Sequence, residues 1–316
     1  MRTVAILMAV YEPKLDWLRE QLLSLNRQTY GALRLYIRED ACPTFSFEKL
    51  VQLVTDCVTA FPFTCRQNEH NLGSNRTFGL LTQEAEGDYF AYCDQDDVWE
   101  DTKLEELVKA MEGGDAQLAY CDLSVIDGMG KPVASSIANI KPHIVYRSGT
   151  NLAPCFLTTN FVTGCALLIR SNTARDALPF LRWTVHDQWL GMFAASRGKV
   201  VGPLPSLVRY RLHHANQTHT LAHVRTKQDY YECKILSDHR RVAEYCARID
   251  LGTPQRRAEA WMAARIALWR RERGAFRRLL ALRHVNLSVT CFELALPWMP
   301  GALFRAVLRA IQRGAL

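Results

Sequence analysis

Three carboxylates lie within four positions in the segment Asp94-Gln95-Asp96-Asp97. They follow a short run with strand chemistry at 88–93, and the apolar pattern then resumes as a helix. Carboxylates packed this closely repel one another, and oxygen-rich sites suit Mg²⁺ or Mn²⁺. The same acids are also typical of a helix start, since Glu100 and Asp101 continue the acidic run. The segment therefore predicts either a divalent-metal site or an acidic turn.

Two later polar segments could also take part in chemistry. Asp187 lies at the start of an apolar helix, where a carboxylate either caps the helix or accepts a proton. His213 and His214 follow a strand, and a neutral imidazole is a common metal ligand. A solvated loop explains the two histidines equally well.

The elements around these residues alternate between strand and helix periodicity. Leu15, Leu18, Leu22 and Leu25 recur at helical spacing, whereas Leu33 begins a strand of alternating residues. The pattern predicts strands at 3–10, 33–39, 63–67 and 88–93, and helices at 15–25, 46–60 and 74–85. This order predicts an α/β fold with a mostly parallel central sheet, flanked by helices that form right-handed crossovers.

Open parallel sheets bind ligands beyond the carboxyl ends of their strands. Tyr11, Asp40, Asn71 and the acidic segment 94–97 all lie at such ends. We therefore expect them to converge in space, although each alone could be an ordinary turn residue.

The middle of the chain is less regular. A helix is predicted at 101–112, a strand at 117–123, a hairpin turn at 126–130 and a buried strand at 161–169. The irregular stretch at 132–160 could form a loop over the site.

Charge and cysteine usage restrict the function class. The net charge is +7, but residues 251–316 hold twelve Arg and three Glu, so residues 1–250 carry a net −2. This distribution argues against a nucleic-acid-binding protein. The ten cysteines are scattered and form no Cys-x-x-Cys pair, which indicates reduced thiols in a cytoplasmic protein. The apolar N-terminal stretch is too short to span a bilayer and is interpreted as a strand.

Taken in order, these motifs resemble the family 2 glycosyltransferases of the GT-A fold, in particular the rhamnosyltransferase-like branch of bacterial surface-polysaccharide biosynthesis. The matching segments are 8–11, 24–30, 38–40, 71–73, 87–99, 163–165, 186–189 and 210–213. The resemblance implies a nucleotide-sugar glycosyltransferase domain at 1–222. A basic, mostly helical C-terminal extension at 223–316 lies outside it.

The resemblance also implies roles for individual residues. Binding of the nucleotide-sugar donor would fall to Ala9, Tyr11, Asp40, Asn71, Arg76, Asp94, Gln95 and Asp97. Asp96 and His213 would bind Mg²⁺ or Mn²⁺, with Asp97 and His214 as competitors for these two positions. Asp187 would be the catalytic base.

The implied reaction is an inverting, metal-dependent transfer of one rhamnose-like sugar to a glycan or lipid-linked acceptor. The motif Gln-x-x-Arg-Trp of processive members is missing, which favours a single addition. A nucleotidyltransferase is the first alternative, but it would need a Gly-rich phosphate loop where this chain has Tyr11-Glu12-Pro13. A non-catalytic nucleotide-sugar binding module is the second.

The C-terminal extension is basic and aromatic. Residues 255–282 predict one Arg-rich helix with Trp261 and Trp269, which either lies on an anionic membrane surface or has a solvated basic face. The apolar stretch 285–304 is interrupted by Glu293, Pro297 and Pro300, which favours shallow insertion or ordinary packing over a membrane span. The predicted location is cytoplasmic, with peripheral binding to the inner face of the cytoplasmic membrane as an option.

Overall fold

The structure is a computed structural model that describes residues 1–141, 144–213, 221 and 224–312. Contacts divide the chain into two compact units. The first holds residues 1–153, 160–181 and 185–214, and the second holds 154–159, 182–184 and the described part of 215–316.

A single sheet forms the centre of the first unit. Its first four strands are parallel, because a helix between each strand and the next returns the chain to the same edge. The described strands are β1 Val4–Val10, β2 Leu33–Glu39, β3 Phe63–Gln67, β4 Tyr89–Cys93, β5 Val98–Trp99, β6 Leu118–Ile126, β7 Pro132–Ala134, β8 Leu167–Arg170 and β9 Val200–Arg211. Their order across the sheet is β3-β2-β1-β4-β8-β6-β9-β5, with β7 paired to β6.

Helices flank this sheet; most bury one face, whereas α6 (His186–Arg197) is buried throughout residues 187–195. On α1, Leu18, Leu22 and Leu25 are fully buried, as the periodicity predicts, whereas Leu15 in the first turn is exposed. The helices of this unit are α1 Leu15–Asn26, α2 Phe47–Cys57, α3 Ser74–Glu84, α4 Lys103–Gly114, α5 Ser171–Asp176 and α6 His186–Arg197. The α/β fold with a mostly parallel sheet is therefore confirmed, although β8 pairs antiparallel with both β4 and β6.

The predicted buried strand at 161–169 is wrong in its first half. Gly164–Ala166 form a 3₁₀ turn, and the strand β8 begins only at Leu167. Cys165 and Ala166 are nevertheless buried, so their apolar character reports burial rather than extended backbone. The hairpin is confirmed, since β6 and β7 are antiparallel and Asp127 N donates to Lys131 O at 2.9 Å.

The described part of the second unit is mainly helical. Its helices are α7 Lys227–Tyr230, α8 Ser237–Arg248, α9 Thr253–Trp269, α10 Ala275–Ala281, α11 Leu287–Ala295 and α12 Gly301–Gln312, with a π-helical turn at Tyr231–Leu236. The single helix predicted at 255–282 is wrong. The backbone leaves helical geometry at Arg271 (φ +57°) and Gly274 (φ +75°), which separates α9 from α10.

Two residues expected on a basic, aromatic surface lie in the core of this unit. The Arg265 guanidinium is buried between Glu293, at 2.6 Å, and Asp238, at 3.0 Å. Trp261 is also buried and donates its Nε1–H to Thr290 Oγ1 at 2.8 Å. Both side chains are thus structural, and any membrane-facing surface must lie elsewhere. Among the described residues, no helix is long and apolar enough to cross a membrane.

Candidate active site

The carboxyl ends of β1, β2 and β4 meet at one edge of the sheet, as the topology predicts. Tyr11 and Gln95 exchange two hydrogen bonds across this edge. Tyr11 N donates to Gln95 Oε1 at 2.9 Å, and Gln95 Nε2 donates to Tyr11 O at 2.8 Å. The acidic segment is thereby fixed to the end of β1, where Ala9 is half-buried and Tyr11 is exposed.

Asp40 holds the loop after β3 in place. Its Oδ1 accepts from Leu72 N at 2.8 Å and Asn68 Nδ2 at 2.6 Å, while its Oδ2 accepts from Gly73 N at 2.8 Å. Asp40 is buried, so a nucleotide base would have to share a carboxylate that already accepts three hydrogen bonds. The loop presents Asn71 at the surface.

Arg76 is exposed in the first turn of α3, directly after the same loop. An exposed guanidinium at this position is free to meet an anion that approaches the sheet edge. Its predicted role toward the donor diphosphate stays a prediction.

The three carboxylates of the acidic segment differ in burial. Asp97 is fully buried, whereas Asp94 and Asp96 are partly accessible. Burial and the charge of Asp96 raise the pKa of Asp97 to about 7. Burial and the charges of Asp97 and Asp96 also raise the pKa of Asp94 well above its usual value. A positive charge at this position would relieve the cost of ionising both groups.

Two sets of groups could hold a cation here. The ligand atoms of Asp94, Asp97 and Cys165 lie within 4.8 Å of one another. Separately, Asp96 Oδ2 lies 2.6 Å from His213 Nε2, so the two residues proposed as metal ligands are in contact. Within the described ranges, the buried Oδ2 of Asp97 has no hydrogen-bond partner, as expected of an atom that ligates an ion. The residues therefore fit a divalent cation. His214, the alternative to His213 as a metal ligand, lies outside the described residues.

Arg211 supports the acidic segment from β9, a role that the sequence did not reveal. Its backbone N–H donates to Asp97 Oδ1 at 3.0 Å, and its Nε donates to Asp96 O at 2.8 Å. Its guanidinium also pairs with Glu20 and is only 1% exposed. The arginine lies within the matching segment 210–213, but spacing alone does not separate a buried arginine from a solvated one.

Lys103 is a second residue that supports the site and that the sequence patterns did not predict. Its side chain is fully buried, Nζ donates to Cys165 O at 2.6 Å, and the ammonium lies 3.0 Å from the centre of the Trp99 ring. Burial lowers its pKa to about 8. A signal for it exists in the sequence, because Lys103 shares the buried face of α4 with Leu104 and Leu107.

Asp187 is the second residue of α6 and is buried. Its Oδ2 accepts from Gly164 N at 3.0 Å, and its Oδ1 accepts from Gln188 N at 2.5 Å. Burial raises its pKa to about 6. The Asp187 charge also contributes to the raised pKa of Asp94, so the two carboxylates interact electrostatically. A carboxylate with this pKa is ionised at neutral pH and suited to accept a proton.

His186 fixes the start of α6. Its ring packs against Phe78 at 4.2 Å and Tyr92 at 5.3 Å between centroids, and burial lowers its pKa to about 3. The imidazole is therefore neutral and acts as a packing group. A Cβ on Gly164 would lie 2.9 Å from His186 Nε2, so a larger residue there would force the His186 ring to move.

Comparison with known proteins places these features in context. Residues 5–175 match the family described as Glycosyl transferase family 2. An uncharacterised glycosyltransferase of Nostoc, alr2836, is 22% identical over 222 residues, which cover 67% of this chain and 66% of the relative. The Escherichia coli protein WfaP, a UDP-Glc:alpha-D-GlcNAc-diphosphoundecaprenol beta-1,3-glucosyltransferase, is 22% identical over 194 residues, 61% of this chain and 71% of WfaP.

Solved structures agree on the fold. The Staphylococcus aureus TarS fragment 1–349 in complex with UDP-GlcNAc superposes with a TM-score of 0.61 at 14% identity, over 99% of this chain and 92% of the fragment. A longer TarS structure gives 0.56 at 15% identity, and the match covers 86% of this chain and 44% of that one. At such identities the likeness shows a common GT-A-type architecture.

Proposed function

Because the chain belongs to glycosyl transferase family 2, we propose that it transfers a single sugar from a nucleotide-diphosphate donor to a hydroxyl group of a glycan or lipid-linked acceptor. One observation carries the proposal. A buried carboxylate with a raised pKa, Asp187, accepts a hydrogen bond from Gly164 N, and the ligand atom of the next residue, Cys165, lies within 4.8 Å of those of Asp94 and Asp97 in the acidic segment that could hold a metal and the donor.

Asp187 would act as the base. It accepts the proton of the acceptor hydroxyl while that oxygen forms a bond to the anomeric carbon of the donor sugar. The bond between this carbon and the diphosphate oxygen breaks on the opposite face, so the configuration inverts. No covalent sugar–enzyme intermediate is needed.

The donor would lie over the edge formed by Tyr11, Asp40 and the acidic segment. Asp96 with His213, or Asp94 with Asp97, would hold Mg²⁺ or Mn²⁺, which when bound supplies neutralisation of the departing diphosphate. Arg211 and Lys103 keep the acidic segment in place from beneath, through its backbone and through Cys165.

The donor and acceptor classes are proposed from relatives and motifs. The name of WfaP gives UDP-Glc as its donor and a lipid-linked sugar as its acceptor, and the TarS fragment binds UDP-GlcNAc. The motif resemblance adds a rhamnose-like sugar. We assign the transfer reaction to a domain at 1–222, followed by the basic helical region 223–316.

A donor screen tests the proposal. The full chain is melted with UDP-Glc, UDP-GlcNAc and dTDP-rhamnose, each with and without Mn²⁺, because a ligand of the folded state raises the melting temperature. The donor that stabilises the protein is then used in a transfer assay. Asp187→Asn should keep the donor-induced shift and lose transfer, whereas Asp176→Asn, an exposed carboxylate on α5, should keep both. No shift with any donor, or full transfer by Asp187→Asn, would refute the assignment.

A further inference from the structure

An apolar surface bordered by arginines lies on α10 and α11 of the second unit. We call it the α10–α11 face, and it consists of Phe276, Leu280, Leu287, Cys291, Ala295 and Trp298. Trp298 is 69% exposed, Leu287 58% and Phe276 42%. The rings of Phe276, on α10, and Trp298, in the turn after α11, are 5.9 Å apart in an edge-to-face arrangement, so the exposed apolar side chains of the two segments meet there.

Helical spacing places these exposed apolar side chains together on one side of each helix. Leu287, Cys291 and Ala295 are four residues apart on α11 and are all exposed, whereas Thr290 and Leu294 on the same helix are buried. Phe276 and Leu280 are likewise four apart and exposed on α10. Both helices therefore have an apolar outer side in addition to the side that packs in the core. Contiguous apolar patches of this kind mark interaction sites.

The charge around the α10–α11 face is predominantly positive, and the exposed Glu272, just before α10 in the sequence, pairs with Arg278. Between residues 273 and 309 the exposed charged side chains are all arginines: Arg273, Arg277, Arg278, Arg283, Arg305 and Arg309. The one acidic residue in this range, Glu293, is buried and paired with Arg265. The border of the patch is thus suited to an anionic partner with an apolar interior.

We propose that the α10–α11 face docks onto an anionic lipid bilayer. Trp298, Phe276 and the leucines would enter the boundary between headgroups and acyl chains, where aromatic side chains are favoured. The arginines would contact lipid phosphates, with their aliphatic stems along the apolar patch. The binding is independent of the transfer reaction. It adds to the proposed function by bringing the enzyme to a lipid-linked acceptor.

Two other occupants suit the surface less well. A second copy of the chain would bring the same arginines face to face, which costs free energy without acidic partners. A nucleic acid would satisfy the arginines but would leave Leu280, Leu287 and Cys291 against a polar backbone. A bilayer with anionic headgroups satisfies both the charge and the apolar area.

Vesicle co-sedimentation of the full chain tests the proposal. We expect binding to vesicles of phosphatidylcholine with phosphatidylglycerol, little binding to phosphatidylcholine alone, and weaker binding at high salt. Phe276→Ser/Trp298→Ser should lose most of the bound fraction. Arg277→Gln/Arg283→Gln should weaken partition roughly thirtyfold, from about 1 kcal/mol for each arginine near the surface.

Matched controls lie in the first unit. Met129→Ser/Val133→Ser removes two exposed apolar side chains from the β6–β7 hairpin, and Arg34→Gln/Arg66→Gln removes two exposed arginines. These variants should bind vesicles like the unmodified chain. All variants should keep the unmodified melting temperature and the donor-induced shift, which separates failure of docking from failure of the proposed transfer.

Three outcomes would overturn the proposal. The first is equal binding to neutral and anionic vesicles, and the second is unchanged binding by Phe276→Ser/Trp298→Ser. The third is an unmodified chain that binds no vesicles but forms a dimer in light scattering, with the same substitutions dissociating that dimer.

Discussion

Lys103 Nζ donates a hydrogen bond of 2.6 Å to the carbonyl oxygen of Cys165, 62 residues further along the chain. The lysine follows the acidic segment, and Cys165 follows Gly164, whose N–H binds Asp187. One buried ammonium therefore connects the proposed metal site to the segment that holds the proposed base.

Replacing this lysine should lower the free energy of unfolding. Lys103→Met leaves the Cys165 carbonyl without its donor and removes a positive charge that faces Asp97, so we expect a loss of about 2–4 kcal/mol in the free energy of unfolding. Urea denaturation measures it. Lys109→Met, on the exposed side of the same helix, should change stability by less than about 0.5 kcal/mol. Equal effects in the two variants would contradict the role of the buried ammonium.

Gly164→Ala should reduce catalysis more than donor binding. The new Cβ would lie 2.9 Å from His186 Nε2, so the buried His186 ring must move, and we expect this movement to disturb the adjacent Asp187. A displacement of about 1 Å at the base costs on the order of 100-fold in kcat. Steady-state kinetics provide the measurement, with the donor-induced melting shift as the reference for intact binding. Gly113→Ala meets no atom within 4 Å and should keep full activity.

The pH dependence of transfer should follow Asp187. Burial raises its pKa to about 6, and the base acts only when ionised, so the rate should rise with pH through about 6 and level above about 7. A rate that falls over this range would exclude a carboxylate base at this position.

The same shift has a consequence for stability. A carboxyl group with a raised pKa in the folded state stabilises the protein below its ordinary pKa of 3.8, and that contribution is lost as pH rises through about 6. An amide side chain cannot ionise, so the Asp187→Asn variant does not lose stability as the pH rises. Its melting temperature at pH 8 should match or exceed that of the unmodified chain. Comparison of both proteins at pH 5 and pH 8 checks the sign.

Mn²⁺ should raise the melting temperature of the chain, because Asp94, Asp96 and Asp97 repel one another without a cation. Asp96→Asn and Asp97→Asn should each reduce this shift, and the variant with the larger loss identifies the principal ligand. Glu100→Gln serves as the control, since Glu100 pairs with Arg209 outside the cluster. A shift that survives in both aspartate variants would remove the metal from this segment.

The second unit should depend on its buried ion pairs. Glu293→Gln leaves the buried Arg265 guanidinium partly unpaired and should cost about 3–5 kcal/mol in urea unfolding. Arg278→Gln breaks the exposed pair with Glu272 and should cost less than about 1 kcal/mol.

Acid should destabilise this unit through Asp238. Burial raises the pKa of Asp238, but the charges of Lys234, Arg241 and Arg265 outweigh it and lower the pKa overall. Its stabilising contribution is therefore present above pH 3.8 and lost as the pH falls further. Helical circular dichroism between pH 2 and 5 would follow the loss.

The sequence predicts the sheet edge well because each early strand and helix has an unambiguous period. The ends of β1, β2 and β4 carry Tyr11, Asp40 and Asp94, and parallel topology alone brings these ends together. The contact between Asp96 and His213 does not follow from the parallel topology. It joins residues 117 positions apart, and it was expected only from the motif resemblance.

The supporting residues were missed for a physical reason. A buried lysine or arginine is stabilised by partners distant in sequence, as Arg211 is by Glu20 and Asp96, so its own neighbours do not distinguish it from a solvated cation. The break between α9 and α10 was missed because Arg271 adopts a left-handed conformation that arginine rarely takes, and Gly274 was its one local signal.

The cysteines range from fully buried to exposed, with Cys65, Cys155 and Cys246 half-buried. Cys93, Cys121 and Cys165 are buried around Lys103, and burial raises the pKa of Cys121 to about 11. Cys291 is exposed within the α10–α11 face, and Cys233 is also exposed. In a Cys233→Ser background, a maleimide-linked fluorophore should therefore label Cys291 in preference to the thiols beneath the acidic segment. The chain thus carries its own attachment point for a polarity-sensitive dye at the surface where lipid contact is proposed.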